Sequence, residues 1–340
     1  MQIYKIETED NGRERTIHGS YDFPCASYDE RFSEFFGGEV AWHWHDEIEI
    51  VLVAEGATKV ESIESCEILH AGEMILVNAN TLHKLTNHGE EDCRILNVVF
   101  NPQWLGGSNL GLVYKKHMLP IINNKSLLLY KFHTYCQDAE SSPNSDSNTG
   151  QTWHQQAIDE LASAFDVWES QRTDREFYMT IALLKFWHLF SSQALMQSHD
   201  SGSAQLSSAQ GLMLQPSEST AHRPLTTQAK EKRVQSLLQF IHRHYKERLS
   251  IADISYAANI SESECYRTFR DALKSTPNHY LLEHRLRQSL PLLTETNQSI
   301  ANVAYEVGFN CSAYFAKKFK IAFQMTPKQF RKKHQKTKTE

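Results

Sequence analysis

The sequence predicts a multidomain protein: an all-β barrel at the N-terminus, two connecting helices, and an all-α pair of helix-turn-helix units at the C-terminus. Three observations carry that expectation. Residues 38–100 hold the apolar runs VAWHWH, EIEIVLV, TKVESI, EMILVN and CRILNVVF, punctuated by Gly56, Gly72 and Asn- or His-rich stretches. Residues 153–195 change to apolar positions spaced by three and four. Beyond Lys230, a degenerate unit of helix, turn, longer helix and Ser/Thr-Pro occurs twice.

The bulk numbers agree. A chain of 340 residues suggests two or three domains. No stretch of eighteen consecutive apolar residues occurs, so no membrane span is expected. The N-terminus MQIYKIETEDNGRERT lacks the apolar core of a signal peptide, and the expected compartment is the cytoplasm. Six cysteines lie far apart with no CxxC pair, which reads as reduced thiols. Charge is uneven. Residues 230–340 carry 20 Lys and Arg against 10 Asp and Glu, a net of +10, whereas 1–229 carry 15 against 31, a net of −16. A basic region joined to an acidic body points to a polyanionic partner for the C-terminal part alone.

The barrel is expected over 1–136. Its most distinctive stretch is WHWHDEIEI, 42–50. His43, His45 and Glu49 share strand parity and so a face. A straight strand would hold His45 and Glu49 about 13 Å apart at ~3.3 Å per residue, too far for one ion. Convergence therefore requires a turn near Asp46, and His83 is the candidate to complete the group. Trp42, Trp44 and Glu47 are further candidates for the pocket or its rim, with packing favoured over sugar stacking for Trp44. Residues 137–152 are polar and read as a loop. The helices of 153–196 form the expected dimerisation region, with Phe186, Trp187 and Phe190 candidates for either an interface or a core. Residues 197–229 are Ser/Gln-rich without periodicity and read as a linker.

In the basic domain, 230–334, IADISYAANIS (251–261) parallels IANVAYEVGFN (300–310). A short helix, a tight turn and a second helix form a helix-turn-helix, whose second helix enters a DNA major groove. Gly308 sits where a left-handed cap belongs, and Ser261 and Asn310 are N-cap types. The polar positions available to DNA are Ser263, Tyr266, Arg267 and Arg270 in one copy, and Ala313, Tyr314, Lys317 and Lys320 in the other.

On these residues, 230–333 resembles the DNA-binding domain of AraC-type (AraC/XylS) bacterial transcription regulators; the strongest match is SIANVAYEVGFNCSAYFAKKFK followed by TPKQFR. The resemblance implies two recognition helices set in successive major grooves. Ser263, Tyr266, Arg267, Ala313, Tyr314 and Lys317 would face bases, and Arg270, Lys318 and Lys320 phosphates. The family usually has Gly where this chain has Lys274 and Gln324, and Pro291 falls inside the connecting helix, where a kink is expected.

Residues 37–56 resemble the first cupin motif, from Gly37 through His43-x-His45 and Glu49 to Gly56; 72–87 resemble the second, with Asn78 and Asn80 in place of its Pro and Gly and with His83 retained. Three readings stay open for His43, His45, Glu49 and His83: an effector pocket without metal, a divalent ion (Zn, Ni, Fe or Mn suits three nitrogens and a carboxylate), or a buried polar network. The whole resembles a regulator whose barrel senses a small molecule, a sugar among the candidates. Promoter DNA, RNA polymerase and a second copy of the chain are the implied partners. The alternatives are a metal-dependent cupin oxygenase or isomerase with a basic tail, and a nucleoid protein that binds DNA without sequence preference.

Overall fold

The computed structural model describes residues 6–10, 12–124, 127–133, 152–203 and 227–335. The strands are β1 (Cys25–Arg31), β2 (Glu39–His43), β3 (Ile48–Glu55), β4 (Ala57–Ser62), β5 (Cys66–His70), β6 (Met74–Val77), β7 (His83–Asn87), β8 (Arg94–Phe100) and β9 (Leu129–Phe132). They form two antiparallel sheets ordered β1-β8-β3-β6-β9 and β2-β7-β4-β5. Strand β3 shows why the chain folds this way. Its run is apolar on both faces because both are covered. Ile48, Ile50 and Leu52 point out toward helices, while Val51 and Val53 point in toward Phe32, just after β1, and toward Val40, Val60 and Leu85 of the other sheet. The turn after β3 needs Gly56, whose φ is +73° and whose added Cβ would lie 3.0 Å from the Asp92 carbonyl oxygen.

Two short helical turns, α1 (Pro102–Leu105) and α2 (Leu119–Ile122), precede β9, and two long helices, α3 (Trp153–Glu169) and α4 (Arg175–Ser203), follow it. The Thr152 hydroxyl accepts from the Gln155 N–H and caps α3. Both long helices cover the outer face of the five-stranded sheet, with Leu161, Phe165 and Leu183 against Ile48, Ile50 and Phe100. Phe186, Trp187 and Phe190 are only 0–2% exposed in the same cluster, so they are core and not interface residues. The opposite side of α4 leaves Phe177, Tyr178, Ile181 and Leu184 exposed. Helix α4 runs to Ser203, into the stretch read as linker, and the next helix starts at Thr227. The rest of that stretch, 204–226, and the loop expected at 137–151 lie outside the described residues. Among the described residues no helix is long and apolar enough to cross a membrane.

The basic region forms α5 (Thr227–His244), α6 (Ile251–Ala257), α7 (Glu262–Leu273), α8 (Pro277–Glu295), α9 (Ile300–Glu306), α10 (Ser312–Phe323) and α11 (Pro327–Gln335). The pairs α6–α7 and α9–α10 are the two helix-turn-helix units, and α8 joins them. The second unit closes on Leu290, Leu293, Val303, Phe315, Phe319 and Phe330. The first closes on Val234, Leu237, Ile254 and Phe269, and its core continues into the barrel through Trp42, Ile63 and Leu82. The barrel is thus a middle layer, with α3 and α4 on one sheet and the first unit on the other.

Details of the repeat refine the sequence reading. Ser261 caps α7, but the N-cap of α10 is Cys311 and not Asn310, with no side-chain hydrogen bond. The second turn is therefore one residue longer, 307–311 against 258–261. Gly308 takes the expected left-handed φ, +89°. Lys274 and Gln324, where glycine is usual, hold the same left-handed geometry at φ 48° and 53°. Helix α8 continues through Pro291 to Glu295.

Candidate functional site

The barrel interior assembles its site from a bulge and a turn. Strand β2 pairs Val40 with Leu85 and His43 with His83, so two residues, Ala41 and Trp42, oppose one on β7. That bulge restores His43 to the inner face. The chain then turns at Asp46 and Glu47 before β3, as convergence demands, and His45 Nε2 comes within 3.4 Å of Glu49 Oε2. The Asn80 N–H donates to the His45 carbonyl at 2.8 Å and ties the two motifs together. One donor atom each from His43, His45, Glu49 and His83 all lie within 4.8 Å of one another, with every residue buried.

Each imidazole is wired alike. Nδ1 of His43 lies 2.8 Å from the Ala41 carbonyl, that of His45 3.1 Å from the Glu47 carbonyl, and that of His83 2.8 Å from the Thr81 carbonyl. A carbonyl only accepts, so each Nδ1 carries a proton and each ring turns its Nε2 inward toward Glu49. His83 Nε2 is 2.9 Å from Glu49 Oε2, yet it is buried with no hydrogen-bond partner. Bare nitrogens facing a carboxylate repel unless positive charge sits between them, either a proton on a ring or a metal ion. Electrostatics express the same frustration. Burial and the neighbouring His83 push His43 down to about 3. Burial opposes charge on His45 too, but Glu49 outweighs it and raises that ring. Glu49 is held well below the carboxylate range by His45 and His83 against its burial. Asn97 Nδ2 donates to Glu49 Oε1 at 2.7 Å and fixes its orientation.

A cavity of about 190 Å³ opens beside this group, and four titratable residues that the motif reading missed line it: Glu14, His18, Tyr28 and Glu30. Glu14 Oε2 lies 3.5 Å from His18 Nε2 and 3.7 Å from His43 Nε2. Despite burial, those rings bring its carboxyl down to about 2. Glu30 goes the other way: burial, then Glu49 and Glu14, raise it to about 8. The Tyr28 hydroxyl is 2.9 Å from His18 Nδ1. These groups arrive from the N-terminal segment and β1. Strand β1 lies outside both motifs, so neither motif points to its side chains.

Other candidates fall elsewhere. Trp42 is not in the cavity. It points outward, 7% exposed, against α5. Glu47 is at the turn and acts through its main-chain carbonyl, with its carboxylate 3.9 Å from His45 Nδ1. Trp44 is half-buried under the Arg13 guanidinium. Asn78, where the second motif lacks proline, donates to the carbonyls of Ile121 and Leu127 and anchors that segment to the barrel.

A metal is implied by the cupin motif, and the donors fit one. Three Nε2 atoms and a carboxylate converge, each ring is held from behind by a main-chain carbonyl, and the His83 nitrogen has no other partner. His43, His45, Glu49 and His83 would hold the ion, which would set positive charge between the ring nitrogens and the carboxylate.

On the DNA-binding side, Ser263, Tyr266, Arg267 and Arg270 are exposed on α7, and Ala313, Tyr314, Lys317 and Lys320 on α10. Lys318 is half-buried, its ammonium 5.5 Å from the Tyr314 ring centroid. Buried Phe269 and Phe319, Lys274 and Gln324, and Pro277 and Pro327 all align at one offset. That frame sets Arg267 against Lys317 and Arg270 against Lys320, but Tyr266 against Ala316 and Tyr314 against Glu264. The two tyrosines are not equivalent readers. Helix α7 carries acids in its first turn, Glu262 and Glu264, whereas α10 has none there.

Comparison with known proteins agrees with both halves. The helix-turn-helix domain family matches residues 254–333, and the cupin domain family matches 36–99. The chain is 26% identical over 324 residues to the uncharacterized HTH-type transcriptional regulator YdeC of Bacillus subtilis, covering 95% of this chain and 97% of that one. It is 35% identical over 102 residues to the Msm operon regulatory protein of Streptococcus mutans, but spans only 37% of that protein's length. A solved AraC-type DNA-binding domain protein from Chromobacterium violaceum is 26% identical, with a TM-score of 0.30 over 32% of this chain and 96% of that one. The chain thus carries a cupin domain ahead of a helix-turn-helix domain and is similar over almost its whole length to an HTH-type transcriptional regulator.

Proposed function

We propose that this regulator is a cytoplasmic sensor, not an enzyme, whose barrel binds a divalent metal together with a small polar effector. Occupancy would set its affinity for promoter DNA. The observation that carries the sensing half is the buried convergence of His43, His45, Glu49 and His83, with each ring held from behind by a main-chain carbonyl and its Nε2 turned inward. The adjoining cavity of about 190 Å³ is smaller than the ~300–1,000 Å³ of drug-sized sites, which suits a molecule no larger than a monosaccharide. Ser263, Tyr266, Arg267, Ala313, Tyr314 and Lys317 face bases, and Arg270, Lys318 and Lys320 face phosphates. The exposed stripe of Phe177, Ile181 and Leu184 on α4 pairs two copies, and the DNA-bound dimer acts on RNA polymerase at the promoter.

The test uses the full chain and a duplex selected in vitro from random sequence. Lys320→Ala weakens binding to selected and scrambled duplexes alike and lowers the salt slope by about one; Arg267→Ala costs about 1–3 kcal/mol on the selected duplex only. Equal loss on both duplexes from Arg267→Ala refutes base reading. Metal content of the purified chain, compared with that of His45→Ala, tests the ion site separately.

A further inference from the structure

The sheet that holds two of the site histidines also holds the DNA-binding domain, on its other face. His83 and Lys84 are consecutive on β7, so His83 points into the barrel and Lys84 points out. On β2, His43 faces the site, while Glu39 and Trp42 face the helices. Glu39 has two cationic partners. One of its carboxylate oxygens contacts the Lys84 ammonium, and the other contacts the guanidinium of Arg287, on α8. Glu39, Lys84 and Arg287 are only 16–21% exposed at the side chain, so solvent screens the triad weakly. Around it, Trp42, Tyr280, His284 and Leu290 close the contact between barrel and helix.

Helix α8 joins the two helix-turn-helix units, so its tilt sets one reading helix against the other. Arg287 lies four residues before Pro291, which has no N–H to give the Arg287 carbonyl. The clamp therefore grips α8 at the turn where its own hydrogen bonding is weakest. A buried ion pair adds little net stability over an apolar pair of similar shape, but it fixes geometry.

We propose that Glu39 is a positioning residue that couples the barrel site to the angle between the two DNA-reading units, through Arg287 on α8. The inference rests on the reading of the barrel as the sensing half, and it names the route by which occupancy reaches DNA. A change at His83 shifts β7 and Lys84, which moves Glu39 and with it the gripped turn of α8.

A double-mutant cycle on the full chain tests this. The clamp is removed by the triple change Glu39→Gln, Lys84→Met and Arg287→Met, which leaves none of its three charges buried without its partner. The site is perturbed by His83→Ala. Binding to the selected duplex is measured for all four proteins, each verified as folded by its melting curve. With the clamp intact, His83→Ala should change Kd by about fivefold or more, the lower end of allosteric couplings. Without the clamp, the same substitution should change Kd by less than about twofold, within ordinary additivity. Equal effects in the two backgrounds overturn the proposal, as does no effect of His83→Ala in either. Metal content of the starting protein is scored separately. A metal-free wild type refutes the ion site, while the cycle still decides the coupling.

Discussion

Replacing Glu30 by glutamine should make the protein more stable in mild base and leave it unchanged in mild acid. Glu30 sits on β1 and faces the cavity, where burial and the charges of Glu49 and Glu14 raise its carboxyl from the ordinary 4.5 to about 8. The folded state thus holds a proton that the unfolded chain releases above about pH 4.5. The stability this carboxyl contributes is complete below that pH and is lost as pH rises through about 8. At 1.36 kcal/mol per tenfold change in proton affinity, the ionised form is disfavoured by about 5 kcal/mol. The side chain is partly exposed to the cavity, so solvent reduces this to roughly 2 kcal/mol. Glutamine has nearly the shape of the neutral acid and never ionises. Urea unfolding with chelator present should find Glu30→Gln more stable than wild type by about 2 kcal/mol at pH 8.5 and equal to it near pH 4.5. A constant difference at both pH values, or a variant weaker at pH 8.5, would refute the assignment of Glu30 as a carboxyl kept neutral by the fold.

Two further expectations concern the helices. Phe186→Ala should cost about 3–5 kcal/mol in urea unfolding, because a wholly buried ring leaves a cavity. The paired change Ile181→Ser and Leu184→Ser on the exposed side should leave the unfolding midpoint nearly unaltered but shift sedimentation toward a monomer. A lowered midpoint with an unchanged sedimentation profile would reverse the two roles. Gln324→Gly should stabilise the chain by about 0.5 kcal/mol, since the left-handed backbone strain it relieves exceeds the added freedom of the unfolded chain; a lower melting temperature would contradict this.

The parts of the site that sequence made legible are those set by local spacing. His43, His45 and Glu49 are close along the chain, and their convergence needed only a turn near Asp46, which the structure has. Trp42 was misassigned for a local reason as well. Alternation from inward-facing His43 already sets its neighbour Trp42 on the outer face, where the structure has it; nearness along the chain to the histidines was the wrong guide. Glu14, His18, Tyr28 and Glu30 were hidden for another reason: they belong to segments outside both motifs, and only tertiary folding brings them to the histidines. On α4 the helical period was plain, yet both sides are apolar. Sequence could not say that Phe186 and Phe190 face the sheet while Phe177 and Ile181 face solvent. The paired units were legible because each repeats a whole pattern. The register of their tyrosines was not, because the second turn holds an additional residue that only a common structural frame exposes.

That additional residue, together with the acidic first turn on one side only, has a consequence for the operator. If α7 and α10 both read bases, two probes that differ in the preceding turn and in charge would favour unlike sequences at their two contact points. A binding site read by both would then have a head and a tail, and inverting it end for end would turn the chain to face the opposite way along the duplex.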